Sequence, residues 1–568
     1  MTDAGKSNKS VDFETTIEKY ALENALKYKK AQAKAVMSKV LSERPELRKD
    51  AKSLMKSVNS VVKRVNALSH SERANLFDDY EIIKKERTPR GVLPDLPNVN
   101  GKVIMRFAPN PSGPLHIGHA RTAILNDEYR RKYGGKLILR IEDTDPSRVD
   151  LDSYRMIEED LKWLGVEWDE SITQSRRLPI YVDMAQRLLE QGDAYVCDCE
   201  EEKFRELKAN AKECPCRKNS PEKNLERWDK MKAGEDKSSA VMLKTDIKHK
   251  NPALRDFPIM RVIDMEHPLT EKEWGLYPLM NFSVTVDDHF LNLTHVIRGK
   301  DHIMNTERQK FIYKYLGWEM PNYIHNGLMS IEDAVLSTSV ISRGIKDGTY
   351  TGWSDVHLAT LRALKKRGIQ PVAIRNLMKA IGIAEVDILF DWQTLYAENK
   401  KVIEEKANRF FFIPEPEEMW LKGVPKEIKK IKVPLHPDFR ARGFREIQLN
   451  GRKGGDTIKM FLSKKDTEDI KVEDNIRLKN FANIKIMERR PLMAKFLKDK
   501  KLDVRKLQWL PEDVIGCEVI SPEGNVAGFA EVGCRNLEHG DIIQFERFGF
   551  VRVNSVDERG IICYFAHR

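Results

Sequence analysis

Over residues 1 to about 86, apolar side chains recur at three- and four-residue spacing among charges, as in YALENALKYKKAQAKAVMSKVL and SLMKSVNSVVKRVNAL. That period is the pattern of packed amphipathic helices, so the segment 1–87 reads as a small helical domain suited to docking. Residues 88–102, rich in Pro, Gly and Asn, read as a linker. From Lys102 the period changes. KVIMRFA is strand-like and runs into the turn-rich PNPSGP, LHIGHARTAILNDEYRRKY follows as a helix, and GGKLILRIEDTDPSR is a glycine turn, a second strand and a polar loop. Strand–loop–helix–strand predicts the opening of a parallel, Rossmann-like α/β fold, whose ligands sit at the carboxyl ends of the strands. Helical periodicity returns in 150–192 and 355–383, and from about 405 short β-rich runs such as IKVPLHP, DTIKMFL and DIIQFERFGFVRVN are broken by Pro, Gly and Asp. Many short strands at that spacing predict β-barrels. The expected class is multidomain: a helical N-terminal domain, a Rossmann-like α/β domain over 103–330 with an insertion at about 193–265, a helical connecting region over 331–404, and an all-β region over 405–568.

Composition narrows the classes. With 98 Lys+Arg against 87 Asp+Glu the net charge of the 568-residue chain is +11, which suits a nucleic-acid partner and equally a plain solvated surface. No run approaches the roughly 18 apolar residues of a membrane span. The opening MTDAGKSNKS lacks the apolar stretch of a secretory signal, and seven cysteines are too few for a disulfide scaffold. A cytoplasmic protein without a membrane partner is expected.

The most informative stretch is RFAPNPSGPLHIGHAR, residues 106–121. His116 and His119 stand three apart at a helix start and share one face, while Gly118 between them lets a ligand approach the backbone. A helix N-terminus offers free N–H groups and the positive end of a dipole, a ready place for phosphates. Imidazoles aimed at that spot can hold a phosphate whose charge redistributes as it is attacked.

RFAPNPSGPLHIGHAR resembles the signature of class I aminoacyl-tRNA synthetases, in the form shared by the glutamyl and glutaminyl enzymes. RIEDTDPSR (140–148) and VDDHFLNLTHVIRGKDHIMNTERQ (286–309) resemble the next two blocks of that group in the right order, and RIEDTD is the glutamyl form. The helical extension and the β-rich region, which looks like a two-barrel anticodon-binding region, match the archaeal and eukaryotic type. The resemblance implies a glutamate–tRNA ligase using ATP with magnesium, with L-glutamate and tRNA for glutamate as partners, tRNA for glutamine as an alternative acceptor, and a monomeric state. It implies that Arg106 and Arg298 face the substrate carboxylates, that Glu142 sits near the α-amino group, and that Ala108 and Asn110 line the pocket. His116, Gly118 and His119 would hold ATP.

Two departures from the family pattern stand out. The mobile Lys-Met-Ser-Lys-Ser loop corresponds to Val335-Leu336-Ser337-Thr338-Ser339, so both lysines are replaced. Ser337 and Ser339 are left as phosphate donors, with Arg343 or Lys346 as further sources of charge. Met280 falls where the bacterial enzymes carry an amino-acid-binding tyrosine, and Tyr277 is the nearest substitute. These departures keep a non-catalytic tRNA-binding relative in view, alongside glutaminyl-tRNA synthetase.

Cys197-Asp-Cys199 and Cys214-Pro-Cys216 form a separate cluster. Four thiolates in two close pairs can close a tetrahedral structural zinc site, and unmetallated reduced thiols are the other reading. Cys517, Cys534 and Cys563 read as small core residues. The adjacent Phe410, Phe411 and Phe412 read as core before base-stacking residues.

Overall fold

The computed structural model describes residues 7–43, 51–69, 72–73, 76–77, 92–271, 275–332, 334–498 and 503–568. Part of the predicted helical domain and residues 88–91 of the predicted linker lie outside these. The chain falls into two compact units, Met1–Thr88 and Pro89–Arg568.

In the first unit the helices Ser7–Tyr28, Ala33–Glu43 and Ala51–Ala67 close on Leu22, Val36, Val40, Val58 and Val61, the residues the three-to-four spacing puts on one face. The turn between the first two helices is pinned from the third. Asn66 accepts from Ala31 N at 2.7 Å and donates to Ala31 O at 2.9 Å, and the nearby Arg73 guanidinium donates to Lys29 O at 2.8 Å.

The second unit opens as the pattern predicts. The strands Ile104–Phe107, Lys136–Ile141 and Glu170–Thr173 form a parallel sheet, with Arg106 beside Ile138 and Arg140 beside Ile172. The helix Ile117–Tyr133 crosses between the first two strands and buries Ile117, Ala120, Ile124 and Leu125 against Met105, Phe107, Leu137 and Leu139. Gly134 ends it in the left-handed conformation at φ 57°, which costs glycine nothing. A further parallel pair, His295–Gly299 with Asn322–Asn326, is joined to the first strand where Thr294 N donates to Ile104 O at 2.9 Å. Ala194–Cys197, Ala240–Leu243, Phe257–Val262 and Leu276–Pro278 make a separate antiparallel sheet with its own core around Tyr181, Trp228 and Phe282.

Helices Leu361–Arg367, Pro371–Ile381 and Trp392–Ile403 connect this body to the β-rich region. Arg367 ties the two, donating to Ala566 O at 2.8 Å and to Phe565 O at 3.2 Å. The β-rich region holds two seven-stranded sheets, each wrapped around its own core and interleaved along the chain, and a two-stranded antiparallel sheet of Lys430–Pro434 with Phe444–Gln448. Asn408–Phe410 and Phe412–Pro414 are edge strands of one sheet, whose remaining strands lie within 514–567. The other sheet is made wholly of strands between Pro416 and Pro511. All three phenylalanines at the crossover are buried: Phe410 and Phe412 in the first core, Phe411 in the second. Alternation along an extended chain is the cause, since neighbouring side chains point to opposite sides. Cys517, Cys534 and Cys563 are buried in the first of these cores.

Candidate active site

A cleft of about 260 Å3 opens where the carboxyl ends of Ile104–Phe107, Lys136–Ile141 and His295–Gly299 meet the start of the helix Ile117–Tyr133. Arg106, Ala108, Asn110, Gly118, His119, Glu142 and Arg298, all named from sequence, line it together.

His116 is the N-cap of the helix. Its Nδ1 accepts from Gly118 N at 3.1 Å, and His119 Nδ1 accepts from His116 N at 3.3 Å, a reciprocal capping box built from two imidazoles. The rings stack at 3.7 Å between centroids and 24° between planes. Burial pushes His116 down to about 2 and His119 down to about 4, so both are neutral at ordinary pH. With each Nδ1 used as an acceptor, each proton resides on Nε2, and both rings are fixed donors. Gly118 has no room for a side chain: a Cβ there would lie 2.8 Å from His116 Cε1.

Arg106 and Arg298 are both buried, and burial lowers the pKa of each guanidinium. Arg106 donates to Ile297 O at 3.2 Å. Arg298 donates to Thr306 and, at 2.8 Å, to Gln309 Oε1, and it lies over the Tyr323 ring at 4.2 Å. Nε of both arginines, and Asn110 Oδ1, are buried without a partner. Such groups are costly to leave unpaired. Glu142 is half-buried, its main chain fixed by Asn110 Nδ2 at 2.8 Å and by its own N–H to Pro109 O at 3.0 Å.

The stretch 335–339 does not line this cleft. Ser337 and Ser339 are exposed at the start of the helix Thr338–Lys346, 3.0 Å apart between hydroxyls, and Arg343 and Lys346 lie exposed in its last turn. Thr338, at the place of the second lysine, presses its methyl on Gly113. A Cβ at Gly113 would collide with Thr338 Cγ2 and lie 2.9 Å from Trp353. The loop is thus seated on the PNPSGP turn through an apolar contact.

This order of blocks and the three-part architecture are those of a known family. The model for class I tRNA synthetases (E and Q), catalytic domain, matches residues 102–405, and two models of anti-codon binding domains of the same family match 407–493 and 504–554. Among curated proteins, the "Glutamate--tRNA ligase" of Methanocaldococcus jannaschii is 49% identical over 558 residues, covering 96% of this chain and 99% of that one. Those of Methanococcus maripaludis (46%, covering 97% and 100%) and Methanopyrus kandleri (44%, covering 97% and 98%) are similar throughout as well. The chain belongs to the class I glutamate and glutamine tRNA synthetases.

In this synthetase Met280 and Val284 form an apolar side of the cleft, while Tyr277 is fully buried and does not line it. The substitute tyrosine of the sequence reading is therefore not at the site. Sequence reasoning missed Thr122, Val284, Ile297 and His302, which reach the cleft from separate elements. It also missed two charges beneath it, Arg140 and Asp288. A signal existed for these: Arg140 interrupts the apolar strand KLILRI, and Asp287-Asp288 interrupt the apolar helix MNFSVTVDDHF.

The four cysteines are brought together. Cys197 and Cys214 sulfurs are 3.7 Å apart, Cys199 and Cys216 are 3.8 Å apart, and all four lie within 4.8 Å of one another. Four sulfurs about 2.3 Å from a tetrahedral centre lie about 3.8 Å apart, so the donor set fits zinc. Hydrogen bonding from Cys197 helps pull the Cys214 thiol down to about 5, favouring a thiolate there.

Proposed function

We propose that this synthetase is a glutamate–tRNA ligase, joining L-glutamate to the terminal adenosine of tRNA for glutamate with ATP. One observation carries the reading: two buried guanidiniums, Arg106 and Arg298, and one carboxylate, Glu142, converge on one cleft. Glutamate carries two carboxylates and one ammonium, the complementary set, whereas glutamine has one carboxylate fewer. The planar fork of an arginine matches a planar carboxylate. The names of the archaeal relatives support the same reading.

In the first step an oxygen of the glutamate α-carboxylate attacks the α-phosphorus of ATP, giving glutamyl-adenylate and pyrophosphate. No enzyme nucleophile is required, so the chain acts by placing the reactants and stabilising charge. His116 and His119 would donate Nε2–H to phosphate oxygens beside the helix N-terminus. ATP enters as its magnesium complex, which offsets phosphate charge. In the second step a hydroxyl of the terminal adenosine attacks the adenylate carbonyl, and AMP leaves. The tRNA would also be held by the β-rich region, which the anti-codon binding domain models match. The enzyme is taken to act as a monomer in the cytoplasm.

Cys197, Cys199, Cys214 and Cys216 would hold a structural zinc ion that staples the strand Ala194–Cys197 to the turn at 214–218. With four thiolates there is no open position for substrate. One zinc per chain, lost with Cys214→Ser, is expected by elemental analysis. A parent that co-purifies with no metal and whose four thiols titrate freely as purified would reject the assignment.

The deciding experiment is ATP–pyrophosphate exchange with tRNA present, comparing glutamate with glutamine. Exchange with glutamate alone is expected. Exchange with glutamine moves the chain to the sister activity. Silence with both, while tRNA still binds, leaves a non-catalytic tRNA-binding protein.

A further inference from the structure

We propose that Asp288 is a positioning residue that joins the two halves of the amino-acid site, the Glu142 side and the Arg298 side. The inference rests on the reading above and goes past it to a residue that does not line the cleft. Asp288 lies on the helix Met280–Phe290, with its side chain wholly buried. Its two oxygens serve different partners. Oδ1 accepts from Arg140 Nη1 at 2.6 Å, and the same guanidinium donates from Nη2 to Glu142 Oε1 at 3.0 Å. Oδ2 accepts from the Tyr323 hydroxyl at 3.3 Å, and it is the Tyr323 ring that supports Arg298 at 4.2 Å.

Asp287 next to it shows what a purely structural acid does here. It accepts from Gln174, Arg177 and Tyr181, at 2.8, 2.8 and 2.7 Å, and so ties the helix Leu178–Glu190 to its own helix. None of those partners lines the cleft. Asp288 points the other way, toward two groups of the site. Burying a carboxylate is expensive, and a buried pair is often no more stable than an apolar replacement. Three guanidiniums, Arg106, Arg140 and Arg298, are crowded together here, and Arg106 and Arg298 feel Asp288 as well as Glu142. Without Asp288, Glu142 would be the only carboxylate hydrogen-bonded to Arg140, which would pull it from the orientation that meets an ammonium group.

The test is steady-state aminoacylation by the full chain carrying Asp288→Asn, which keeps the shape and removes the charge. The KM for glutamate is expected to rise by about tenfold, as for the loss of one hydrogen bond to a charged group, with the KM for ATP changed by less than about twofold. In the double variant with Glu142→Gln, the second substitution should add less than it does alone, because both act through Arg140. A merely structural Asp288 would lower the active fraction and leave the glutamate KM where it was. A folded variant with an unchanged glutamate KM, or with both KM values raised alike, overturns the inference. Should Asp288→Asn not fold, Arg140→Lys keeps a charge but cannot fork between two carboxylates. It should give the same split between the two KM values, and an unchanged glutamate KM there is equally fatal. A parent chain that shows no glutamate-dependent exchange defeats the functional reading itself, a different result from a working parent with an indifferent variant.

Discussion

An imidazole that already accepts a backbone hydrogen bond at Nδ1 has one place left for its proton. The capping box of His116 and His119 uses that restriction twice, so the donors at this helix start, of which His119 lines the cleft and His116 does not, are set by helix geometry before any ligand arrives. This has a pH signature. His119 titrates at about 4 in the folded chain and near 6.5 when unfolded, so between those values the unfolded chain binds more protons. Stability therefore falls as pH drops through that window. His119→Asn removes the contribution, and its thermal midpoint should fall less than the parent's between about pH 7 and about pH 5. Equal falls would show that His119 is not held neutral. The same substitution deletes a phosphate donor and should slow pyrophosphate exchange by about a hundredfold. At this scale the sequence was most legible where chemistry is local: His119, Arg106, Asn110 and Glu142 sit in two short blocks, and the cleft joins them to Arg298, while His116 stays outside its lining as the cap of the helix. Asp288 was hidden because its meaning comes from Arg140 and Tyr323, which reach it from distant strands.

Among the elements, the helix Thr338–Lys346 shows how a lysine-free loop can still be placed. Thr338 and Trp353 close on Gly113, so the seat depends on the absence of a side chain there. Gly113→Ala should push this helix off the PNPSGP turn at a cost of about 1–3 kcal/mol, typical of an overpacked site. If the loop serves the triphosphate, the variant should lose exchange rate more than affinity for glutamate. Loss of glutamate affinity alone would place its action elsewhere. From sequence the loop could be described by the lysines it lacks and by Ser337, Ser339, Arg343 and Lys346, but not by what seats it. What holds it is a contact between glycine and threonine separated by more than two hundred residues, and no local pattern announces such a contact. The elements themselves were legible where the period was clean, as in the first three helices and the strand–turn–helix opening of the second unit.

Across the whole molecule, the run Phe410-Phe411-Phe412 does the work of a shared wall: its outer members fill one β core and its middle member fills the other. Phe411 packs with Trp509, 6.5 Å between ring centroids, and Phe412 with Phe545 at 4.9 Å. Either phenylalanine changed to alanine should cost about 3–5 kcal/mol of stability, read by denaturant unfolding of the full chain. A change of less than about 1 kcal/mol at Phe411 would mean that the second core closes without it. The β character of this region was plain from its short runs and breakers, but the interleaving was not, because pairing partners leave no trace in a strand's own composition. The interleaving also bears on how the protein is made. A ribosome releases residues 408–414 well before 514–567, so the sheet begun first is finished last, after another has been built inside the interval. Through that wait Phe410 and Phe412 are sticky, unclaimed surface, and a cell that makes this chain in quantity must shield them until the last strands arrive.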